Sequence, residues 1–511
     1  MSVAGIRNHF AHWREWEMNP IVVKELRQAV RSWAVTGMLL LFLAGLFVIS
    51  VVFFVSGADS DPDAQLGGDL FLAFAIILAI ASLFFIPLYL GIRVAAERQE
   101  NNPDLYYVST LSPARIIRGK FLCGLYMAVL FFSACMPFMA FTNLLRGVDL
   151  PTVFFILFYL FLTVCTLNMA AIFLGCIPAT RPFKIFFGLV GIIVSIYSIV
   201  GSLTFMFRFV TLGVASAMDG RNFWIGTLTA LAIYAAVAGL FYVMAVALVS
   251  PPSSNRALPV RVYFTAAWFL TGLLSLAWVT MGAHWHFPAG HSDPVGIWFH
   301  SMINLLTASV IVVVSNSDAF SHRVRRAIPR APWNRFFAFL FFNGAAGGLV
   351  WAAAMMAATF LFASKISSYV AGRNEWLPDE AFALYIFAYA LAGLFIHRRF
   401  FPRRHAKIAG LLTIFIIAVT ALAPSIFLFF LNQLTTYSIE HLELGNVINI
   451  FSMRDDNRLI YHFYFAAGVL AVMAVLNARW FFRQIRNFVP PPKDAPPVIA
   501  YEAPAQIEPQ P

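Results

Sequence analysis

Twelve stretches of roughly twenty mostly apolar residues constrain this chain more than any motif in it. A helix needs about twenty such residues to cross the hydrocarbon of a bilayer. Runs of that kind lie near 33–55, 69–92, 120–143, 152–178, 185–207 and 224–249, and again near 264–281, 295–315, 336–362, 381–396, 410–431 and 459–478. Lipid offers the backbone no hydrogen-bond partner, so each run must satisfy its own amides as a helix. The fold class that follows is an all-α, polytopic membrane protein. A soluble domain is excluded by charge alone: about a quarter of its residues would be ionisable, against 12% here, with 60% hydrophobic.

The opening MSVAGIRNHFAHWREWEMNP is charged and lacks an apolar core, so no cleavable signal is expected and the run near Trp33–Val55 should stay as the first span. Before it, NPIVVKELRQAVRS has the spacing of an interfacial helix. Asn19 caps it and Pro20 opens it; Val22, Leu26, Ala29 and Trp33 fall on one face, and Lys24, Arg27, Gln28 and Arg31 on another. A plain basic flank of the first span is the alternative.

An even number of spans puts both termini on one side, and the basic residues say which. With the termini inside, only Arg146, Arg208, Arg221, Lys365, Arg373, Arg454 and Arg458 fall outside; the other 28 of 35 lie in inside segments. Outside segments are acidic or neutral, with Asp59, Asp61 and Asp63 in the first and Glu375, Asp379 and Glu380 in a later one. The largest, 432–458, is too short to hold a domain. The net charge of +11 is spread over many short loops, which suits orientation and contact with membrane lipids and argues against nucleic acid. The chain divides into a cytoplasmic N-terminus with the interfacial helix (1–32), a first six-span half (33–249), a cytoplasmic linker (250–263) that opens with SPPSSNRALPVR, a second six-span half (264–486) and a proline-rich, disordered tail (487–511).

Candidate chemistry is sparse. Asp69 stands at a span edge and the other acids fall in loops or tails, so a carboxylate proton relay is not expected. The four cysteines lie in or beside spans and read as small apolar side chains. His284, His286, His291 and Asp293 in AHWHFPAGHSDP admit a metal site or a plain interfacial loop, without an ordered ligand spacing that would select the metal. Asn168, Asn304 and Asn343 read as interhelical hydrogen-bonding groups, and Asn343–Gly348 as close helix packing or a flexible path lining. No phosphate-binding loop occurs, since Gly119-Lys120 is followed by Phe121; any ATP must be bound by another chain.

Glu97–Lys120, ERQENNPDLYYVSTLSPARIIRGK, is the long polar interruption of the first half. Asn102-Pro103 and Ser112-Pro113 each set a capping side chain before a first-turn proline. This predicts short helices from Pro103 to about Ser109 and from Pro113 into the third span. The corresponding loop of the second half, 316–335, is more basic and also carries prolines before a span.

These two stretches resemble type-2 ABC transporter permeases, the membrane subunits of ABC exporters. NPIVVKELRQAVRS is similar to that family's elbow helix. The loop is similar to its connection between spans two and three, where an acidic–basic pair precedes a short helix, a Leu-Ser-Pro turn and an Ile-x-x-Gly-Lys opening. The positions here are Glu97-Arg98, Asp104-Leu105, Thr110-Leu111-Ser112-Pro113 and Ile116-Ile117-Arg118-Gly119-Lys120. The likeness covers residues 19–250 by topology. It departs in Asn101-Asn102-Pro103, where the family has a Gly-Thr pair, and in the second six-span half. It implies an export permease in the plasma (inner) membrane of a prokaryote, without catalytic residue, metal or cofactor of its own. A separate cytosolic ABC ATPase would dock on Glu97, Arg98, Asp104, Leu105, Tyr106, Ser112, Pro113 and Arg115. Lys24, Arg27 and Arg31 would mark the elbow, and a second permease copy or the second half would complete the pathway. A multi-pass membrane enzyme of the lipid-linked transferase type, working through an outside loop, and a scaffold without transport remain the alternatives.

Overall fold

The computed structural model describes residues 20–57, 66–98, 112–145, 148–178, 181–215, 218, 220–280, 286–287, 290–291, 294–367, 377–434, 444–447, 449–452 and 456–491. Among them are twelve helices long and apolar enough to cross a membrane, so the protein is an all-α, polytopic membrane protein. The chain forms two compact units, Met1–Pro251 and Pro252–Pro511.

The first unit begins with α1 (Pro20–Val30), followed by α2 (Trp33–Gly57). The second span is one helix in two parts, α3 (Leu66–Ile80) and α4 (Ile86–Glu97), joined by a π-helical turn at Ala81–Phe85. Then come α5 (Pro113–Leu144), α6 (Leu150–Cys176), α7 (Arg181–Leu212) and α8 (Arg221–Val249). The core is aromatic: Phe42, Phe71, Phe74 and Phe131 are fully buried, with the Phe42 and Phe131 rings edge to face at 5.2 Å. Helices α4 and α6 approach closely because Gly175 has no side chain; a Cβ there would lie 2.8 Å from the Gly91 carbonyl oxygen. Large apolar residues such as Phe47, Phe54, Ile185 and Phe186 remain exposed, which in a bilayer means facing lipid.

The second unit contains α9 (Ala257–Thr280), a two-residue antiparallel pairing of β1 (His286–Phe287) with β2 (Gly290–His291), and α10 (Pro294–Val314). Two short helices follow, α11 (His322–Arg326) and α12 (Pro332–Phe341). The remaining spans are α13 (Ala345–Ser367), α14 (Leu377–Phe400), α15 (Lys407–Leu434) and α16 (Asp456–Asn487).

Several sequence expectations change here. The ninth span starts at Ala345 rather than near 336, because the chain breaks after α12 and Gly344 takes φ +126°, a conformation natural to glycine. Asp379 and Glu380, expected in an outside loop, form the first turn of α14, where the positive end of the helix dipole favours carboxylates. Part of the expected 432–458 loop is buried: Gly445, at φ +99°, donates its N–H to Tyr385 (3.1 Å) and accepts from the Tyr389 hydroxyl (2.6 Å).

Candidate functional site

The first unit gathers its ionic groups at one end, where α1, the last turn of α4 and the first turns of α5 meet. Helix α1 is strongly amphipathic, and its buried face runs through Val22, Glu25 and Ala29, with Leu26 half-buried. Glu25 was not among the expected site residues, yet it sits three residues after Val22 and four before Ala29, the spacing of one helical face. Trp33, expected on that face, is 84% exposed: the helix ends at Val30, and Trp33 is the first residue of α2, after a break at Arg31–Ser32.

Opposite Glu25 lies Lys120, two turns inside α5, on the helix expected to open at Pro113, and 5% exposed. Its Nζ is 2.7 Å from Glu25 Oε1 and 2.5 Å from Glu97 Oε2. One ammonium therefore joins three segments far apart in sequence. Lys24 approaches Glu97 from the solvent side at 3.4 Å. Arg93, one turn before Glu97 on α4, stands 4.0 Å from Glu25, donates to Gln28 and to the Tyr89 hydroxyl (3.1 Å), and lies over the Tyr89 ring. Buried charges of this kind persist only when paired and hydrogen-bonded; removing one partner from such a set costs about 3–5 kcal/mol.

Two further cations fasten the C-terminus of α4. Arg98 donates to the carbonyl of Leu248 at the end of α8 (2.9 Å), and Lys184 of α7 donates to that of Ala95 (3.0 Å). The other expected residues are placed as follows. Ser112 is the N-cap of α5, but its side chain makes no capping hydrogen bond; its backbone carbonyl accepts from Arg115 and Ile116 instead, and Pro113 is the first helical residue. Arg115, Arg27 and Arg31 are exposed. Asp104, Leu105 and Tyr106, and the short helix expected at 103–109, lie outside the described residues.

At its basic end the second unit also buries a cation. Arg261 of α9 is 3% exposed and donates to the carbonyls of Leu340 and Phe342 (both 2.7 Å) and of Gly344 (3.3 Å), where α12 ends. No carboxylate among the described residues lies within ion-pairing distance of it. Gly348 leaves the room it needs, since a Cβ there would stand 2.3 Å from Arg261 Nη2. Asn343 ties the same break to the start of α9, accepting from Ala257 N–H (2.8 Å) and donating to the Ser254 carbonyl (3.0 Å). Nearby, burial pushes the Asp318 carboxyl above its usual range, while it accepts from Trp480 Nε1 (2.8 Å) and, more weakly, Ala345 N–H (3.4 Å).

The intramembrane asparagines depart from their expected role. Asn343 lies at the helix break, and Asn304 donates to a carbonyl of its own helix, that of His300. Asn168 is fully buried, and neither amide atom has a hydrogen-bond partner among the described residues. Among the described residues no group of three or more His, Cys, Asp or Glu side chains is arranged to hold a metal; His284 and Asp293 lie outside them. The first unit's ionic cluster is built to join helices, and its chemistry is that of charge pairing.

The chain matches no family model, and neither curated proteins nor solved structures gave a significant match.

Proposed function

We propose that this membrane protein is the permease of an ATP-driven exporter and that a separate cytosolic ATPase docks on the segment between Glu97 and Pro113. The observation that carries the reading is the Glu25–Lys120–Glu97 joint. It ties the interfacial helix and the two helices flanking that segment into one ionic unit, with Lys120 and Glu25 buried. A force applied to the segment by a soluble subunit would move α1, α4 and α5 together, as rigid-body switching requires. The bias of basic residues supports placing this end, and both termini, on the cytoplasmic side of a prokaryotic inner membrane. The missing phosphate loop supports a partner that supplies ATP hydrolysis. A photo-crosslinking amino acid at Tyr106 in the full chain tests the proposal in native membranes. Capture of a nucleotide-binding subunit, lost when 103–109 is deleted, is expected. Absence of such a subunit from both the crosslinked and the co-purified material overturns it.

A further inference from the structure

Within the second unit, α13 and α16 stand apart over α14 and leave a groove of about 770 Å³. That size falls in the range of sites for single small molecules, about 300–1,000 Å³, and is small for a helix about 10 Å across and 30 Å long. Along α16 its wall runs from Phe463 to Phe482. The nineteen steps between them, at about 1.5 Å each, make a trough about 28 Å long, close to the thickness of the hydrocarbon core. The walls are small where the groove is open, at Ala353 and Ala357 of α13 and Ala474 of α16, all exposed, with Phe387 of α14 on the floor.

Polar groups stand only towards the ends. At the basic end Asn477 is already engaged, donating to the Leu391 carbonyl (3.1 Å) and accepting from Arg398 (2.8 Å). At the opposite end is Glu380, half-buried, on the first turn of α14. Its neighbour Asp379 holds the nearby His300 at 3.5 Å, whereas Glu380 makes no ion pair among the described residues. An apolar trough in a membrane is filled by hydrocarbon, because a void forfeits dispersion contacts on every side. Hydrocarbon alone does not select one lipid from another, since the surrounding chains are equally apolar. Selection falls to the carboxylate at the mouth, whose complement is a cation.

We propose that the groove holds one membrane lipid, an alkyl chain lying between α13 and α16 and its cationic ammonium headgroup seated on Glu380. The site is independent of any ATPase docking. It is tested on the full chain in detergent by native mass spectrometry, with phosphatidylethanolamine and phosphatidylglycerol of matched chains supplied in equal amounts. Wild-type protein should retain the ammonium lipid over the anionic one on the order of ten-fold, the worth of one charge-assisted hydrogen bond. Glu380→Gln should bring that ratio towards one while leaving one lipid bound. Ala353→Phe and Ala474→Phe, which fill the trough, should each remove that lipid at an unchanged thermal midpoint. Three results overturn the proposal: a wild type without the preference, a preference that survives Glu380→Gln, or folded groove-filled variants that keep the lipid. So does an Ala474→Cys variant that crosslinks to another copy or another segment of the chain, since protein then occupies the groove.

Discussion

Each half of the molecule buries a cation at its basic end, and the two cations have different partners. Lys120 meets two carboxylates delivered by separate elements, Glu25 from α1 and Glu97 from α4. Arg261 meets main-chain carbonyls of one short stretch, 340–344, left over where α12 stops. The planar guanidinium presents five donors in a rigid fork, against three on the flexible stem of a lysine. The first arrangement is a joint between three helices, and the second a clamp that fixes a bend. The joint depends on charges that any of three elements can withdraw; the clamp depends on backbone acceptors, held in place by Asn343 and by the space left at Gly348.

The comparison predicts a graded set of effects. Lys120→Met should be the most damaging, lowering unfolding stability by about 3–5 kcal/mol because two carboxylates lose their buried partner. Adding Glu25→Leu and Glu97→Leu to it should recover much of the loss, read by thermal unfolding in detergent; a single-variant loss below about 1 kcal/mol would dismiss the joint. Arg261→Lys should cost about 2 kcal/mol, since carbonyls at the end of α12 go unsatisfied. Equal stability of that variant and wild type would show that the fork is not needed. Asn168→Leu should be neutral or stabilising by about 1 kcal/mol, because it removes amide groups already lacking partners; a large loss would reveal a partner. Lys24→Ala should fall within about 0.5 kcal/mol. Its effect should vanish in 1 M salt, whereas that of Lys120→Met should persist, because exposed pairs are screened and buried ones are not.

Most of the fold was legible because the bilayer imposes its thickness on composition: all twelve spans overlap the apolar runs, and eleven of them begin no later than the run does. The exception is instructive. Residues 336–342 are as apolar as a span, but Asn343 and the positive φ of Gly344 end the helix, and hydropathy does not register a bend. The ionic site was half legible. Glu97 and Lys24 are visible as polar flanks, and the helix that carries Lys120 is announced by Ser112-Pro113, but nothing in the sequence shows that its ammonium is buried. Glu25 was hidden by its type: an acid on the face that also carries Val22 and Ala29 contradicts an amphipathic pattern unless a buried cation awaits it. The Arg261 acceptors are backbone atoms and leave no trace in side-chain chemistry.

The π turn at Ala81–Phe85 sets the phase of everything beyond it. Above it the buried face of the second span runs through Phe71, Phe74 and Leu78. Continued at 3.6 residues per turn, that face would pass Phe85, Tyr89, Ile92 and Ala96. The face actually buried below is Ile86, Leu90 and Val94, while Ile92 is 60% exposed. The turn has slipped the helix by one residue, about 100° of rotation. That slip brings Glu97, and not the alanine before it, round to Lys120. Deleting one residue anywhere in 81–85 would leave the span's length and hydropathy almost unchanged and turn its carboxylate away from the joint.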